Sequence, residues 1–297
     1  GTLVMGNPLS GNYTIGAAGN YTTLSSVLSD LTSLGMNGSV SLLLQADYSS
    51  AGETFPLTIS GIGGLGLLKG SPSQMPDISK MTKEEKAAMN VWPAYAEGIA
   101  PYISNEMIKG IRGLGEGINK VNSLTIKPDA GVTASITGTY SGPLVRIIAA
   151  KYVTIDGSNN GSSTRDLTIT NNGTSSPNAV VIGSSGATPS TDVTLKNCVL
   201  VHGANTSTAV VVSYGATVGN AGYFQNIVIH NNSISRAYMG MYLSSTGAIP
   251  GNVTISSNVL SSSNPDSIRY VGIYLQGVNN ATVSGNDIGN FSVINGE

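Results

Sequence analysis

The sequence predicts an all-β fold, a parallel β-helix or solenoid, and three observations lead there. The first is a repeat: Leu167-Thr-Ile-Thr-Asn-Asn172, Val193-Thr-Leu-Lys-Asn-Cys198, Ile227-Val-Ile-His-Asn-Asn232, Val253-Thr-Ile-Ser-Ser-Asn258 and Ala281-Thr-Val-Ser-Gly-Asn286 recur at intervals of 26, 34, 26 and 28 residues. The second is strict apolar–polar alternation within each segment, followed by further β-prone runs such as Ala209–Ser213, Met239–Leu243 and Tyr270–Leu275, with Ser-, Gly-, Asn- and Pro-rich loops between them. The third is composition. Only 10% of the 297 residues are charged and 38 are Gly, against roughly 25% charge in an ordinary soluble domain.

A period in the high twenties with two or three short strands per unit means stacked coils, because one coil cannot bury its own apolar side. Alternation then assigns faces. Positions 193, 195, 227, 229, 253 and 255 point inward; 194, 196, 228, 230, 254 and 256 point outward. The last residue of each unit is Asn172, Cys198, Asn232, Asn258 or Asn286. This predicts an inward ladder in which each amide satisfies backbone groups at a bend of the neighbouring coil. Cys198 is then a buried, inert thiol.

Earlier coils are weaker but legible in Ser123–Ile126, Val132–Ile136, Leu144–Ile148 and Tyr152–Ile155. Upstream, Leu24, Val27, Leu28, Leu31 and Leu34 follow helical spacing, opened by Thr22-Thr23 and stopped by Gly35. A helix there covers the open end of the first coil, and Gly38–Leu44 reads as that coil's strand. Residues 69–120 differ: they hold 13 of the chain's 30 charges, its only Trp and four of its eight Met. Thr82-Lys-Glu-Glu85 is a helix-opening pattern, and Gly61–Gly66 and Gly113–Gly117 flank the segment. The expected organisation is a cap and first coil over 1–60, a small α-helical insertion in an early coil over 61–120, and coils over 121–297.

Asn12-Tyr-Thr-Ile-Gly16, the helix over Tyr21–Leu34, the strand over Val40–Tyr48 and the phrase Tyr152-Val-Thr-Ile-Asp-Gly157 resemble pectate-lyase-like, right-handed parallel β-helix proteins. The likeness is especially to the large secreted surface proteins of gliding, type IX-secreting bacteria. It covers residues 1–60 and 121–297 and implies a right-handed β-helix at the cell surface or outside it. Where such proteins carry Gly before the Tyr of the first strand, this chain has Ala46-Asp47-Tyr48.

Composition narrows the chemistry. A net charge of −2 gives no basic patch for nucleic acid. One cysteine and two histidines leave no disulfide framework and no histidine-rich zinc centre. No apolar run is long enough for a transmembrane segment. A glycosidase on this fold needs two facing carboxylates, and a calcium-dependent lyase needs several acidic oxygens plus a basic residue. The outward row reads Asp156, Thr170, Lys196, His230, Ser256, Ser284, and the row beside it Thr154, Thr168, Thr194, Val228, Thr254, Thr282. Neither contains a carboxylate pair. Asp156 reads as a turn residue bonding its own backbone, and Arg236, Asp266 and Arg269 as a surface ion cluster.

The expectation is a secreted or cell-surface module, structural or adhesive. It would bind an extracellular glycan or a surface protein through Thr168, Thr170, Thr194, Lys196, His230, Thr254 and Ser256, without cofactor. A polysaccharide lyase or glycosidase is the alternative; its candidate catalytic residues are Asp156, Lys196 and His230, and calcium is the cofactor it would bring. A third reading places partner recognition on Met89, Trp92, Tyr95, Tyr102 and Met107 of the insertion. The last coil carries no visible cap, so it is expected to be continued or covered by another chain.

Overall fold

The computed structural model describes residues 7–61, 122–202, 207–214, 220–263 and 265–291. The insertion expected at 61–120 lies, from residue 62 onward, outside the described residues. The chain opens with β1 (Leu9–Ile15), helix α1 (Leu24–Leu34) and β2 (Met36–Leu44), then a 3-10 turn (Ser50–Gly52) and β3 (Leu57–Ser60). The coils beyond it are β4 (Leu124–Pro128), β5 (Ala134–Gly138) and β6 (Pro143–Ile148), then β7 (Lys151–Asp156), β8 (Leu167–Asn171) and β9 (Asn178–Ser184). Next come β10 (Ser190–Lys196), β11 (Cys198–His202) and β12 (Thr208–Tyr214), and β13 (Phe224–His230), β14 (Ser233–Ser235) and β15 (Met239–Ser244). The series ends with β16 (Val253–Ser256), β17 (Val259–Leu260) and β18 (Val271–Gln276), followed by β19 (Ala281–Ser284) and β20 (Asp287–Ile288).

Each coil visits three parallel sheets in turn. The first sheet has the order β1-β2-β4-β7-β10-β13-β16-β19, the second β5-β8-β11-β14-β17-β20, and the third β3-β6-β9-β12-β15-β18. This is an all-β, right-handed parallel β-helix of about 6 turns. The alternation read from sequence sets the core. Val193, Leu195, Ile227, Ile229, Val253 and Ile255 point inward and are buried, while positions 194, 196, 228, 230, 254 and 256 lie half-buried on the outer face.

The inward ladder forms, with one correction. Asn232 Oδ1 accepts from Cys198 N at 3.0 Å, Asn258 Oδ1 from Asn232 N at 2.9 Å, and Asn286 Oδ1 from Asn258 N at 2.9 Å. Each amide nitrogen also donates back to a core-strand carbonyl: Asn232 to Leu195, Asn258 to Ile229 and Asn286 to Ile255. Asn172 is not a rung; it is exposed. Leu167 pairs with Cys198, not with Val193, so 167–172 belongs to the second sheet. The residue in phase with Val193 is Val153. Continuing that register, the position of Cys198 falls on buried Ser158, and Gly157 falls on the corner position of Asn197, whose carbonyl oxygen an added Cβ would meet. Cys198 is fully buried, and burial pushes its thiol above the ordinary range.

Two outer positions explain the abundance of Asn. Between the first and second sheets, Asn197, Asn231, Ser257 and Gly285 all have φ between 50° and 61°. At the start of the first-sheet strands, inside or just before them, Asp192, Asn226, Asn252 and Asn280 lie between 46° and 57°. Asn and Asp enter this left-handed region more readily than other non-glycine residues. Here they also bond one another along the axis: Asn226 donates to Asp192, Asn252 to Asn226 and Asn280 to Asn252, at 2.9–3.2 Å. Only Ala149-Ala150 links β6 to β7, and in the sequence residues 61–123 separate β3 from β4.

Helix α1 packs Leu24, Val27, Leu28 and Leu31 against the first coil. Thr23 caps its N-terminus and the Gly35 N–H bonds the Leu31 carbonyl. Its first turn holds no acidic residue; Glu53 supplies the charge from the next connection. The Glu53 carboxylate accepts from Leu24 N at 2.6 Å, Ser25 N at 2.8 Å and the Tyr48 hydroxyl at 2.9 Å. It serves two orphan helix donors and the positive end of the dipole together. Glu53→Ala is expected to cost about 2 kcal/mol in denaturant unfolding, and Glu53→Gln about half of that. An equal cost for the two would mean that only shape, not charge, matters at this cap.

Candidate functional site

The outer face of the first sheet carries two in-register rows. Thr154, Thr194, Val228, Thr254 and Thr282 are successive partners, and the row runs back through Thr125 to Ser41. Beside it run Asp156, Lys196, His230, Ser256 and Ser284. Neighbouring rungs are about 4.8 Å apart, the spacing of hydrogen-bonded strands. The Thr row interrupted by Val228 is therefore a nearly straight line of hydroxyls, each able to donate once and accept twice.

The structure brings Asp156, Lys196, His230, Ser256, Thr194 and Thr254 onto one face. It does not bring Thr168 and Thr170 there. Both lie on β8 in the second sheet, where Thr168 sits between Ser135 and Val199, and Thr170 between Thr137 and Val201. The cause is the one that displaced Asn172. An alternating strand followed by Asn recurs on more than one side of the coil, and period two does not say which side. Met89, Trp92, Tyr95, Tyr102 and Met107 lie outside the described residues.

Asp156 is 8% exposed. Its Oδ1 accepts from Ser158 N at 3.0 Å, the turn contact expected from sequence, and from Asn197 Nδ2 at 2.8 Å. Its Oδ2 lies 3.1 Å from Lys196 Nζ. Next along the row, His230 Nδ1 is 2.9 Å from Ser256 Oγ. Arg165, from the loop after β7, reaches across to Asn231, donating through Nε to its carbonyl at 2.9 Å and through Nη2 to its Oδ1 at 2.8 Å. Asn231 in turn donates to Asn197 Oδ1 at 2.8 Å. Burial lowers the Arg165 guanidinium below its ordinary value. Sequence reasoning missed Arg165, Asn197 and Asn231. The available signal was the doubled position at the corner, Asn197-Cys198 and Asn231-Asn232, where the first residue turns out at positive φ and the second turns in.

Chemically, both Asp156 oxygens are already committed, one of them to a cation. Calcium asks for six to eight oxygen ligands, and this group of Asp156, Lys196 and Arg165 does not fit it. Among the described residues no three His, Cys, Asp or Glu side chains are grouped to hold a metal ion. A groove of about 480 Å³ lies between α1 and β3, lined by residues including Ser25, Leu28, Thr32, Thr54 and Leu57, and none of its lining belongs to the two rows. The surface pair read from sequence forms, with Arg236 Nε 3.3 Å from Asp266 Oδ1, while the Arg269 guanidinium lies 5.7 Å from the centre of the Tyr238 ring. No helix among the described residues is long and apolar enough to cross a membrane. No protein-family model, curated protein or solved structure matches the chain.

Proposed function

We propose that the protein is a secreted or cell-surface β-helix module with a structural or adhesive role, binding an extracellular glycan along the outer face of its first sheet. The observation that carries this reading is the line Thr125-Thr154-Thr194-Val228-Thr254-Thr282, five hydroxyls held in strand register, half-buried as far as Thr254 and exposed at Thr282. Such a line offers a polymer many weak, repeated hydrogen bonds and needs no movement to do so. The likeness of residues 1–60 and 121–297 to secreted β-helix surface proteins supports the same reading, as does the low charge. The Asp156 carboxylate acts here as a corner brace for the Lys196 and Asn197 side chains.

The test is a glycan array run with calcium and with chelator, followed by titration of any bound polysaccharide. Changing Thr154, Thr194 and Thr254 together to Val is expected to weaken binding tenfold or more, about 1.4 kcal/mol per tenfold. Folding should be unchanged, and chelator should not alter the affinity. Full binding by the triple variant would remove the Thr row from the site.

A second reading, a polysaccharide lyase or glycosidase, is favoured by one arrangement: Lys196 stands between Asp156 and His230 in a single row. It predicts release of unsaturated or reducing ends from the same polysaccharides, abolished by Lys196→Met and by His230→Gln. Release of product with that dependence would replace the adhesive reading.

A further inference from the structure

The two rows on the outer face of the first sheet differ in what they leave free. In the row that starts at Asp156 the polar groups satisfy one another: Asp156 pairs with Lys196 at 3.1 Å, and His230 Nδ1 is 2.9 Å from Ser256 Oγ. In the row beside it, the hydroxyls of Thr154, Thr194 and Thr254 make no hydrogen bond to another described residue. From β7 to β19 the two rows hold one carboxylate, Asp156, and one lysine, Lys196, so with His230 neutral they carry no net charge. Arg165, from the neighbouring loop, is turned onto Asn231 at 2.9 and 2.8 Å. What these rows offer a ligand is therefore hydroxyl groups, each able to donate and to accept, and no unpaired ion.

Register fixes the spacing of those hydroxyls. Residues 153–156 pair with 193–196, these with 227–230, and these in turn with 253–256, with no shift at any step. Free hydroxyls thus recur at the strand spacing of about 4.8 Å, with one gap of two rungs across Val228. A polymer gains from such a line only if it brings a hydroxyl-bearing edge to rung after rung. A 1,4-linked chain with both bonds equatorial is an extended ribbon. It advances by close to one strand spacing per sugar and can set one sugar over each rung. An axial linkage bends the chain into a helix, which turns its edge off the line within a few sugars. An acidic chain would surrender the hydration of its carboxylates to rows whose lysine is already paired, a cost with no compensating contact.

Taking the glycan-binding reading as its premise, we propose that the ligand class of this face is a neutral, ribbon-like polysaccharide lying along the solenoid axis, one sugar to each rung. Thr154, Thr194 and Thr254 each bond the sugar above them. The sugar over Val228 makes no such bond, so this is the rung at which the line can be completed.

Calorimetric titration of the full chain with hexasaccharides tests this. Cello-, chito-, manno- and xylohexaose are the neutral ribbons. Maltohexaose has the sugar of cellohexaose with the axial linkage, and hexagalacturonate supplies charge. At least one ribbon is expected to bind about tenfold or more tighter than maltohexaose and hexagalacturonate, and its trisaccharide to bind about tenfold or more weaker than its hexasaccharide. Val228→Thr, at a half-buried position, should tighten that ribbon about threefold, the worth of one added hydrogen bond. Thr168→Val, on the second sheet, should leave the affinity and the circular dichroism unchanged. Equal binding of cello- and maltohexaose would overturn the ribbon proposal, as would a preference for an acidic glycan. In either case, a loss of binding when Thr154, Thr194 and Thr254 become Val would leave the wider glycan reading standing. An affinity that Val228→Thr leaves unchanged would overturn the placement of one sugar on each rung. No binding to any hexasaccharide or to any glycan of the array would overturn the proposal and the glycan reading together.

Discussion

Replacing Asn258 with Leu is expected to lower stability by about 3–5 kcal/mol, while Asn172→Ala changes it by less than about 0.5 kcal/mol. The Asn258 side chain is fully buried. Its Oδ1 takes the Asn232 backbone N–H at 2.9 Å and the Asn232 amide at 3.0 Å, and its Nδ2 serves the Ile229 carbonyl at 2.9 Å. Leu keeps the branching at Cγ but is bulkier, and it leaves that N–H and that carbonyl without partners inside the core. Each orphaned buried group costs about 1–3 kcal/mol, and the loss propagates because Asn232 holds the next rung through Cys198 N. For a chain of this size the melting temperature should fall on the order of 10 °C. Hydrogen exchange should show the opening concentrated in the coils around β13, β16 and β19. A fall below about 1 kcal/mol would mean that the ladder is incidental to the stacking of the coils.

The contrast between Asn258 and Asn172 also marks how far the sequence could be read. Which strand positions point in and which point out was legible, because inward residues such as Val193, Ile227 and Val253 meet only apolar neighbours while their outward partners meet water. The capping helix was legible for the same reason: Leu24, Val27, Leu28 and Leu31 share one face, and Thr23 and Gly35 close its ends. Which sheet a strand joins was not legible from alternation, since every sheet uses period two. The ten-residue connection Gly157–Asp166 separates β7 from β8. It breaks the simple count of residues per coil just where Leu167-Thr-Ile-Thr was aligned with Val193-Thr-Leu-Lys. That is why Thr168 and Thr170 read as part of the hydroxyl line and lie on another face. Arg165 escaped notice because it sits in that connection, and its partner Asn231 is 66 residues away. Contacts made across coils by loop residues carry no local pattern. The ladder at Asn226, Asn252 and Asn280 was within reach, since those residues recur at 26 and 28, but it required knowing that the start of the strand takes a positive φ.

Acid should destabilise the coil at His202, with stability falling by about 3 kcal/mol between pH 6.5 and 4. His202 ends β11 opposite Asn171, is fully buried, and has no hydrogen-bond partner on either ring nitrogen among the described residues. Burial disfavours the charged ring and pushes its pKa down from 6.5 to about 4. In the unfolded chain the ring takes a proton below about 6.5; in the folded chain it does so only near 4. Between those values the unfolded state binds more protons, so stability rises with pH. The full contribution is present above 6.5 and is lost as pH falls through the folded value. His202→Leu removes the titrating group and its unpaired nitrogens together. The variant should match or exceed the parent at pH 7, and should lose the slope in this window, with His230 unchanged in both proteins. Urea unfolding at several pH values from 7.5 to 4 provides the comparison. Parallel stability curves for the two proteins would show that the ring finds proton-binding partners when the coil is folded, and that the acid sensitivity arises elsewhere.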